Sequence, residues 1–171
     1  MSVADLEAKA ESVAGTATKE EKGTMLLWLH VLGEAFAGEL LQRLIPLRYD
    51  TEHRLEGVPR ERGTLICEMK VEEDMANGYN NMHGGCSAYL VDVCTSVCLT
   101  AFSPSHVSLS LQLEYHQPIP VGTTIEIVST TRALGKRVLS AGCEIIHKEK
   151  RTLLVSGSHV KMPPSQLPSK L

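Results

Sequence analysis

Over the first 23 residues the apolar positions are scattered among Ala, Glu, Lys, Thr and Gly with no sustained stripe, so this stretch reads as a weak helix or a mobile arm. From Thr24 the period becomes helical. Leu26, Leu29, Leu32 or Gly33, Phe36, Leu40 and Leu44 recur at three- and four-residue spacing, with Thr24 as the cap and Pro46 as the stop. An amphipathic helix over 24–44 is expected ahead of the main fold. Leu47 to Leu55 and Gly63 to Glu72 then read as two strands that pair through the turn-rich Glu56-Gly57-Val58-Pro59-Arg60. After the loop signal Asn77-Gly78-Tyr79-Asn80-Asn81, the run Gly84 to Phe102 is apolar around most of its circumference, which predicts one buried central helix.

Beyond Pro104 the period changes to two. Val107, Leu109, Leu111, Leu113 and Tyr115 alternate with Ser108, Ser110, Gln112 and Glu114, the pattern of a half-buried strand. Thr123 to Ala133, Arg137 to Lys148 and Thr152 to Met162 give three more, separated by turns at 120–122, 134–136 and 149–150. Two strands, a buried helix and four antiparallel strands predict an α+β fold in which a curved sheet wraps the helix. The chain divides into an arm and amphipathic helix (1–45), the main domain (46–162) and a Pro- and Ser-rich tail (163–171).

Composition narrows the function. With 171 residues, 43% hydrophobic and 22% charged, the chain suits a single core. A net charge of −3 gives no basic face for a nucleic-acid partner. The longest apolar run, Met25 to Val31, is far short of the roughly 20 residues that span a bilayer. The acidic N-terminus also lacks the layout of a secretory signal, so a soluble, non-secreted protein is expected. Five cysteines with no C-x-x-C pair argue against a disulfide framework or a zinc knuckle and for a reducing compartment. Cys94 and Cys98 stand at i and i+4, a spacing that could chelate a metal, but small buried cysteines more often simply pack; no metal is expected.

Four features carry candidate chemistry. His83-Gly84-Gly85 opens the buried helix, where unpaired N–H groups and the helix dipole favour an oxygen bearing negative charge; the glycines could equally just turn the chain. Asp92 is a carboxylate in the middle of that helix, and an acid buried there is either catalytic or satisfied by a neighbour such as Thr95 or Ser96. Asn77 could aim an amide donor at the same pocket or merely form the Asn-Gly turn. Ser108 and Ser110 lie on the alternating strand, where serine is usually solvent-facing.

Taken together, Asn77-x5-His83-Gly84-Gly85-x6-Asp92, then Val107-Ser108-Leu109 and Tyr115-His116-Gln117-Pro118, resemble the hotdog-fold acyl-CoA thioesterases over about residues 47 to 162. The likeness is to the acyl-CoA thioesterase 13 (thioesterase superfamily member 2) group and the phenylacetate-pathway thioesterases. It implies a six-stranded antiparallel sheet around the central helix, with the N-terminal helix as an addition. It also implies that Asn77 and the Gly84 N–H polarise a thioester carbonyl, with Gly85 and His83 shaping that turn. Asp92 would orient or deprotonate the attacking water, Ser108 would assist, and His159 would lie near the acyl-CoA. Lys136, Arg137 and Lys161 are candidate contacts for CoA phosphates. The activity implied is hydrolysis of acyl-CoA to acid and CoA without a cofactor. A hotdog that binds or carries acyl-CoA without turnover is the alternative; a hydratase would need a His–acid pair of a different layout.

Gly85 and Asp92 are seven residues apart on one helix, roughly 10 Å along the axis, so one subunit does not bring both to one carbonyl. A homodimer, or a dimer of dimers forming a homotetramer, is therefore expected. The chain ends Ser169-Lys170-Leu171, a peroxisomal address that an import receptor reads, so the peroxisome is the expected compartment, with the cytosol as the alternative. Deleting Leu171 should make a fluorescent fusion diffuse; retention in peroxisomes would mean that another signal operates.

Overall fold

A single 16-residue helix, Gly84–Leu99, is enclosed on one side by a six-stranded antiparallel sheet. The computed structural model describes residues 3–53 and 61–164, with the side chains of residues 3 and 4 left aside. Leu55, the turn expected at 56–60 and the terminal Ser169-Lys170-Leu171 lie outside the described residues. Chain order is α1 (Val3–Ser12), α2 (Lys19–Gly33), α3 (Gly38–Leu41), β1 (Ile45–Glu52), β2 (Arg62–Lys70), a short 3₁₀ turn (Glu73–Met75), α4 (Gly84–Leu99), β3 (Val107–Tyr115), β4 (Thr124–Leu134), β5 (Leu139–His147) and β6 (Leu153–Met162). The strand order is β1-β2-β4-β5-β6-β3, so β3 forms one edge. This is the expected α+β class, and the six strands fall close to their expected spans.

The inner faces of the strands supply Leu65, Cys67, Ile125, Ile127, Cys143 and Ile145, each at most 2% exposed. From α4, Leu90, Val91, Cys94 and Cys98 meet them with no exposed surface at all. Burial of this apolar area is the main stabilising term. Tyr49 of β1 is anchored by its hydroxyl, which donates to the Cys98 carbonyl at 2.9 Å. On β6, Gly157 makes room for α4: a Cβ there would stand 2.7 Å from Val91 Cγ1. Helix and strand thus approach closely one residue before Asp92.

One expectation needs correction. The amphipathic helix starts at Lys19, because Thr18 and Glu21 form a reciprocal capping box in which Glu21 N–H donates to Thr18 Oγ1 at 3.2 Å and Thr18 N–H donates to Glu21 Oε2 at 2.7 Å. It ends at Gly33; a left-handed residue, Ala37 (φ 52°), separates it from α3 and leaves Phe36 81% exposed. The N-terminal stretch follows the helical of its two readings and not the mobile arm, and it is docked on the core. Residues 3–12 are helical, Ala10, Val13 and Ala17 are buried in the main core, and Ala14 exchanges backbone hydrogen bonds with Leu47 and Tyr49 at 3.0 and 2.9 Å. Alanine is too small to write a visible stripe in the sequence, yet it packs closely.

Strand β3 also departs from simple alternation. Val107 (46% exposed) and Leu109 (59%) are uncovered, while Leu111 and Leu113 pack on the core. A bulge is the cause: Ser108 pairs with Lys161 and Ser110 with Val160, so Leu109 is the extra residue and the phase reverses there. Ser108 consequently faces inward, on the side of Leu111.

Gly15 tests the docking of the N-terminal segment. It has φ 103°, and an added Cβ would lie 2.2 Å from the Tyr49 carbonyl oxygen. Gly15→Ala is expected to lose about 2 kcal/mol or more in chemical denaturation. A silent substitution would mean that the segment is not docked on β1.

Candidate functional site

The entry to α4 is shaped by His83. Its backbone is extended (φ −63°, ψ 136°), and its Nδ1 accepts the Gly85 N–H at 2.9 Å while its carbonyl accepts from Cys86 and Ser87 at 2.9 and 3.2 Å. His83 is therefore the N-cap. The Gly84 N–H is left without an acceptor among the described residues, at the positive end of the helix. The Gly84 carbonyl accepts the Tyr115 hydroxyl at 2.9 Å.

Asn77 is fixed by its own loop. Its Oδ1 accepts the N–H groups of Tyr79 (2.9 Å) and Asn81 (3.3 Å), and its N–H donates to the Asn81 carbonyl at 2.7 Å. With the carboxamide oxygen engaged, the NH₂ end is left to donate. Asn77, Gly84, Tyr115 and His116 line a cavity of about 420 Å³. His116 is itself held by Ser156 at 2.9 Å.

Asp92 belongs to a different cavity, of about 330 Å³, together with Trp28, Ser96, His106, Ser108 and Lys161. It is not the buried acid its mid-helix position suggests: its side chain is 42% exposed. Around it stand two buried side chains, His159 and Lys161, and two with more solvent contact, Ser96 and Ser108. Its Oδ1 lies 3.5 Å from Ser96 Oγ, 3.5 Å from Ser108 Oγ, 3.5 Å from His159 Nε2 and 3.8 Å from Lys161 Nζ. Strand β6 delivers the last two through its alternation, Gly157, His159 and Lys161 all pointing inward.

Proton positions in this cluster follow from the acceptors present. Thr95 Oγ1 stands 2.6 Å from the Val91 carbonyl, which can only accept, so the Thr95 proton goes there. His159 Nδ1, 2.6 Å from Thr95 Oγ1, must then be the donor. In the neutral ring Nε2 is bare and accepts the Ser108 hydroxyl at 3.0 Å. Burial, followed by the charge of Lys161, pushes the His159 pKa down to about 4, so the ring is neutral at neutral pH. Burial and Lys161 act on His106 in the same direction.

The two halves stand apart. Gly84 and Asp92 are eight residues apart on one helix, about 12 Å along its axis. Among the expected residues, Asn77, His83, Gly84 and Gly85 gather at the N-terminal end of α4, and Asp92, Ser108, His159 and Lys161 around its middle. Lys136 and Arg137 are exposed in the β4–β5 turn, outside the Asp92 cavity. Lys161, considered a phosphate contact, is 4% exposed and hydrogen-bonded inside the cluster. Sequence reasoning offered Thr95 and Ser96 only as neighbours that could satisfy Asp92, placed Tyr115 only within the motif, and gave no role to Trp28. Ser96 was legible as the i+4 neighbour of Asp92; Trp28 reaches the cavity only through tertiary packing. Cys94 and Cys98 are buried free thiols.

One end can hold negative charge developing on an oxygen, and the other can take a proton from water. The helix and six-stranded antiparallel sheet that carry both have the hotdog fold. The thioesterase superfamily model matches residues 79–154. Human acyl-coenzyme A thioesterase 13 is 33% identical over 101 residues, 58% of this chain and 72% of that protein. Mouse thioesterase superfamily member 2 superposes with a TM-score of 0.67 at 25% identity, covering 86% of this chain and 98% of that one. The E. coli PaaI protein from the phenylacetic acid degradation operon shares the fold, with a TM-score of 0.64 at 16% identity over 82% of this chain and 94% of that one. The chain belongs to the thioesterase superfamily, and its class is that of the thioester hydrolases.

Proposed function

We propose that the protein hydrolyses acyl-CoA thioesters to the free acid and CoA, in sites that each combine the Gly84 end of one subunit with the Asp92 end of another. The observation that carries this reading is the separation of the two half-sites along α4. Strand β3 runs the other way beside them, with Ser108 at the Asp92 end and Tyr115 at the Gly84 end. It is an edge strand with Val107 and Leu109 exposed, a surface that pairing would cover. Antiparallel pairing of β3 with its own copy, centred between Leu111 and Gln112, sets Ser108 opposite Tyr115 of the partner subunit, since a two-fold keeps the sum of paired positions constant. The Asp92 cluster of one subunit then meets the oxyanion donors of its mate. A dimer of dimers would repeat the same unit.

In this arrangement the thioester carbonyl oxygen accepts from the Gly84 N–H and the Asn77 amide. Asp92 takes one proton from a water molecule while Ser108, its own proton committed to His159, accepts the other water hydrogen. Hydroxide adds to the carbonyl carbon, negative charge collects on the oxygen, and collapse breaks the C–S bond. The CoA sulfur leaves with the electron pair and takes up the proton from Asp92, so that thioester and water give acid and thiol. Each oxyanion donor of this kind is worth about 10²–10³ in rate, and a positioned base about 10²–10⁴. Trp28 and Leu32 from α2 give the Asp92 cavity an apolar wall suited to an acyl group. Lys136 and Arg137 lie one short turn from Leu139, the β5 partner of Lys161, and are suited to the CoA phosphates. The acyl-CoA assignment is supported by the name of the human relative.

Release of thiol from short, medium, long and aromatic acyl-CoAs tests the reading. Wild type should turn over at least one class, and Asp92→Ala should lower kcat by about 10²–10⁴. No release from any ester, with acyl-CoA binding retained, would make the protein a carrier instead.

A further inference from the structure

Lys161 is the least expected group in the molecule. A lysine ammonium is rarely buried, yet this one is 4% exposed, and β6 aims it at the base of the Asp92 cavity. Its Nζ donates to Ser96 Oγ at 2.6 Å and to Ser108 Oγ at 3.2 Å and lies 3.8 Å from Asp92 Oδ1. Those three directions match its three protons. Ser96 can receive this bond because its own proton goes to the Asp92 carbonyl, 2.6 Å away. Ser108 can receive it because its proton goes to His159. Among Thr95, Ser96, Ser108, His159 and Lys161 each donor has an acceptor, while both ring nitrogens of the neighbouring His106 are buried without a partner.

The groups that face Asp92 come from each element around it. Tyr89 and Ser96 stand on α4, His106 precedes β3, Ser108 is on β3, and His159 and Lys161 are on β6; α2 contributes only Trp28 and Leu32 to the cavity wall. Burial keeps both histidines neutral at neutral pH, which leaves Lys161 as the cation of this cluster. Burial also lowers the Lys161 pKa, while Asp92 pulls the other way.

A purely structural account fits poorly. Removing a charge from water is costly, and a buried ion pair is often replaced as a pair by apolar side chains of similar volume with no loss of stability, or with a gain. Asp92 keeps partial contact with solvent and would not be stranded by the loss of its neighbour.

We propose that Lys161 is a positioning residue of the hydrolytic centre: its ammonium turns the Ser96 and Ser108 lone pairs and holds in place the Asp92 carboxylate that draws a proton from water. This rests on the Asp92–water reading given above. Lys161 touches neither substrate nor water; it acts through Ser108 and Asp92.

Lys161→Met and Lys161→Arg, assayed beside wild type and Asp92→Ala, test the assignment. Lys161→Met should keep or raise the melting temperature, while kcat falls about 10²-fold and KM changes by less than about threefold. Lys161→Arg, which keeps the charge and the N–H donors, should recover most of the lost kcat. An unchanged kcat in Lys161→Met would overturn the assignment, and so would a kcat lost equally in both variants. Should Lys161→Met fail to fold, Lys161→Gln read against Lys161→Arg gives the same comparison. Full turnover in Asp92→Ala would instead remove the Asp92–water reading; loss there with an unchanged Lys161→Met kcat removes only the role of Lys161.

Discussion

Everything in this molecule is organised by one stiff helix lying against one sheet. An α-helix rises 1.5 Å per residue and does not fold back on itself, so groups placed at Gly84 and Asp92 keep a fixed separation of about 12 Å. The sheet holds that rod in register from several strands at once. Tyr49 bonds its far end at Cys98, and Gly157 admits Val91 to close contact. These contacts determine where the two chemical ends lie, and neither end contains a complete set of groups for hydrolysis. In the proposed reading a second copy completes each set, and the exposed, bulged edge strand offers free backbone and apolar side chains to receive it.

The Asp92 end shows how a core accommodates polarity. Thr95, His159 and Lys161 are all buried, and each finds partners: Thr95 on the helix backbone, His159 between Thr95 and Ser108, Lys161 on two hydroxyls near a carboxylate. A buried group of this kind left unpaired costs about 1–3 kcal/mol, so the network stands or falls as a set. The Gly84 end works by the opposite device. There one N–H remains uncommitted while His83 and Tyr115 occupy its neighbours. A donor held ready in a fixed place needs little reorganisation when charge develops on an oxygen.

Much of this was legible from residue order, and the exceptions have physical causes. The period-two runs and the Pro/Gly turns located the strands, and the unbroken apolar run located α4, because those patterns report burial directly. The motif from Asn77 to Asp92 marked the N-terminal end of the helix and its middle. The inward turn of Ser108 was hidden, since a bulge reverses alternation without changing composition. Lys161 was hidden because charge in a sequence reads as solvent exposure, whereas here alternation from His159 carries it inside. The exposure of Asp92 was misjudged for the converse reason: a helix apolar on most sides suggests burial everywhere, but the sheet covers only part of it. The start of α2 was written in Thr18 and Glu21, yet the apolar stripe drew attention to Thr24. The docking of the N-terminal segment depends on small alanines and backbone bonds that leave no periodic trace.

The central claim is that each site is shared between two chains, and complementation measures it directly. Asp92→Ala and Asn77→Ala chains, each inactive alone, are co-expressed with different tags and the mixed dimer is isolated. One of its two sites then has both wild-type halves and the other has neither. The account predicts about half of the wild-type turnover per dimer. A mixed dimer as inactive as its parents would contradict it, because a site built within one chain would be broken in both.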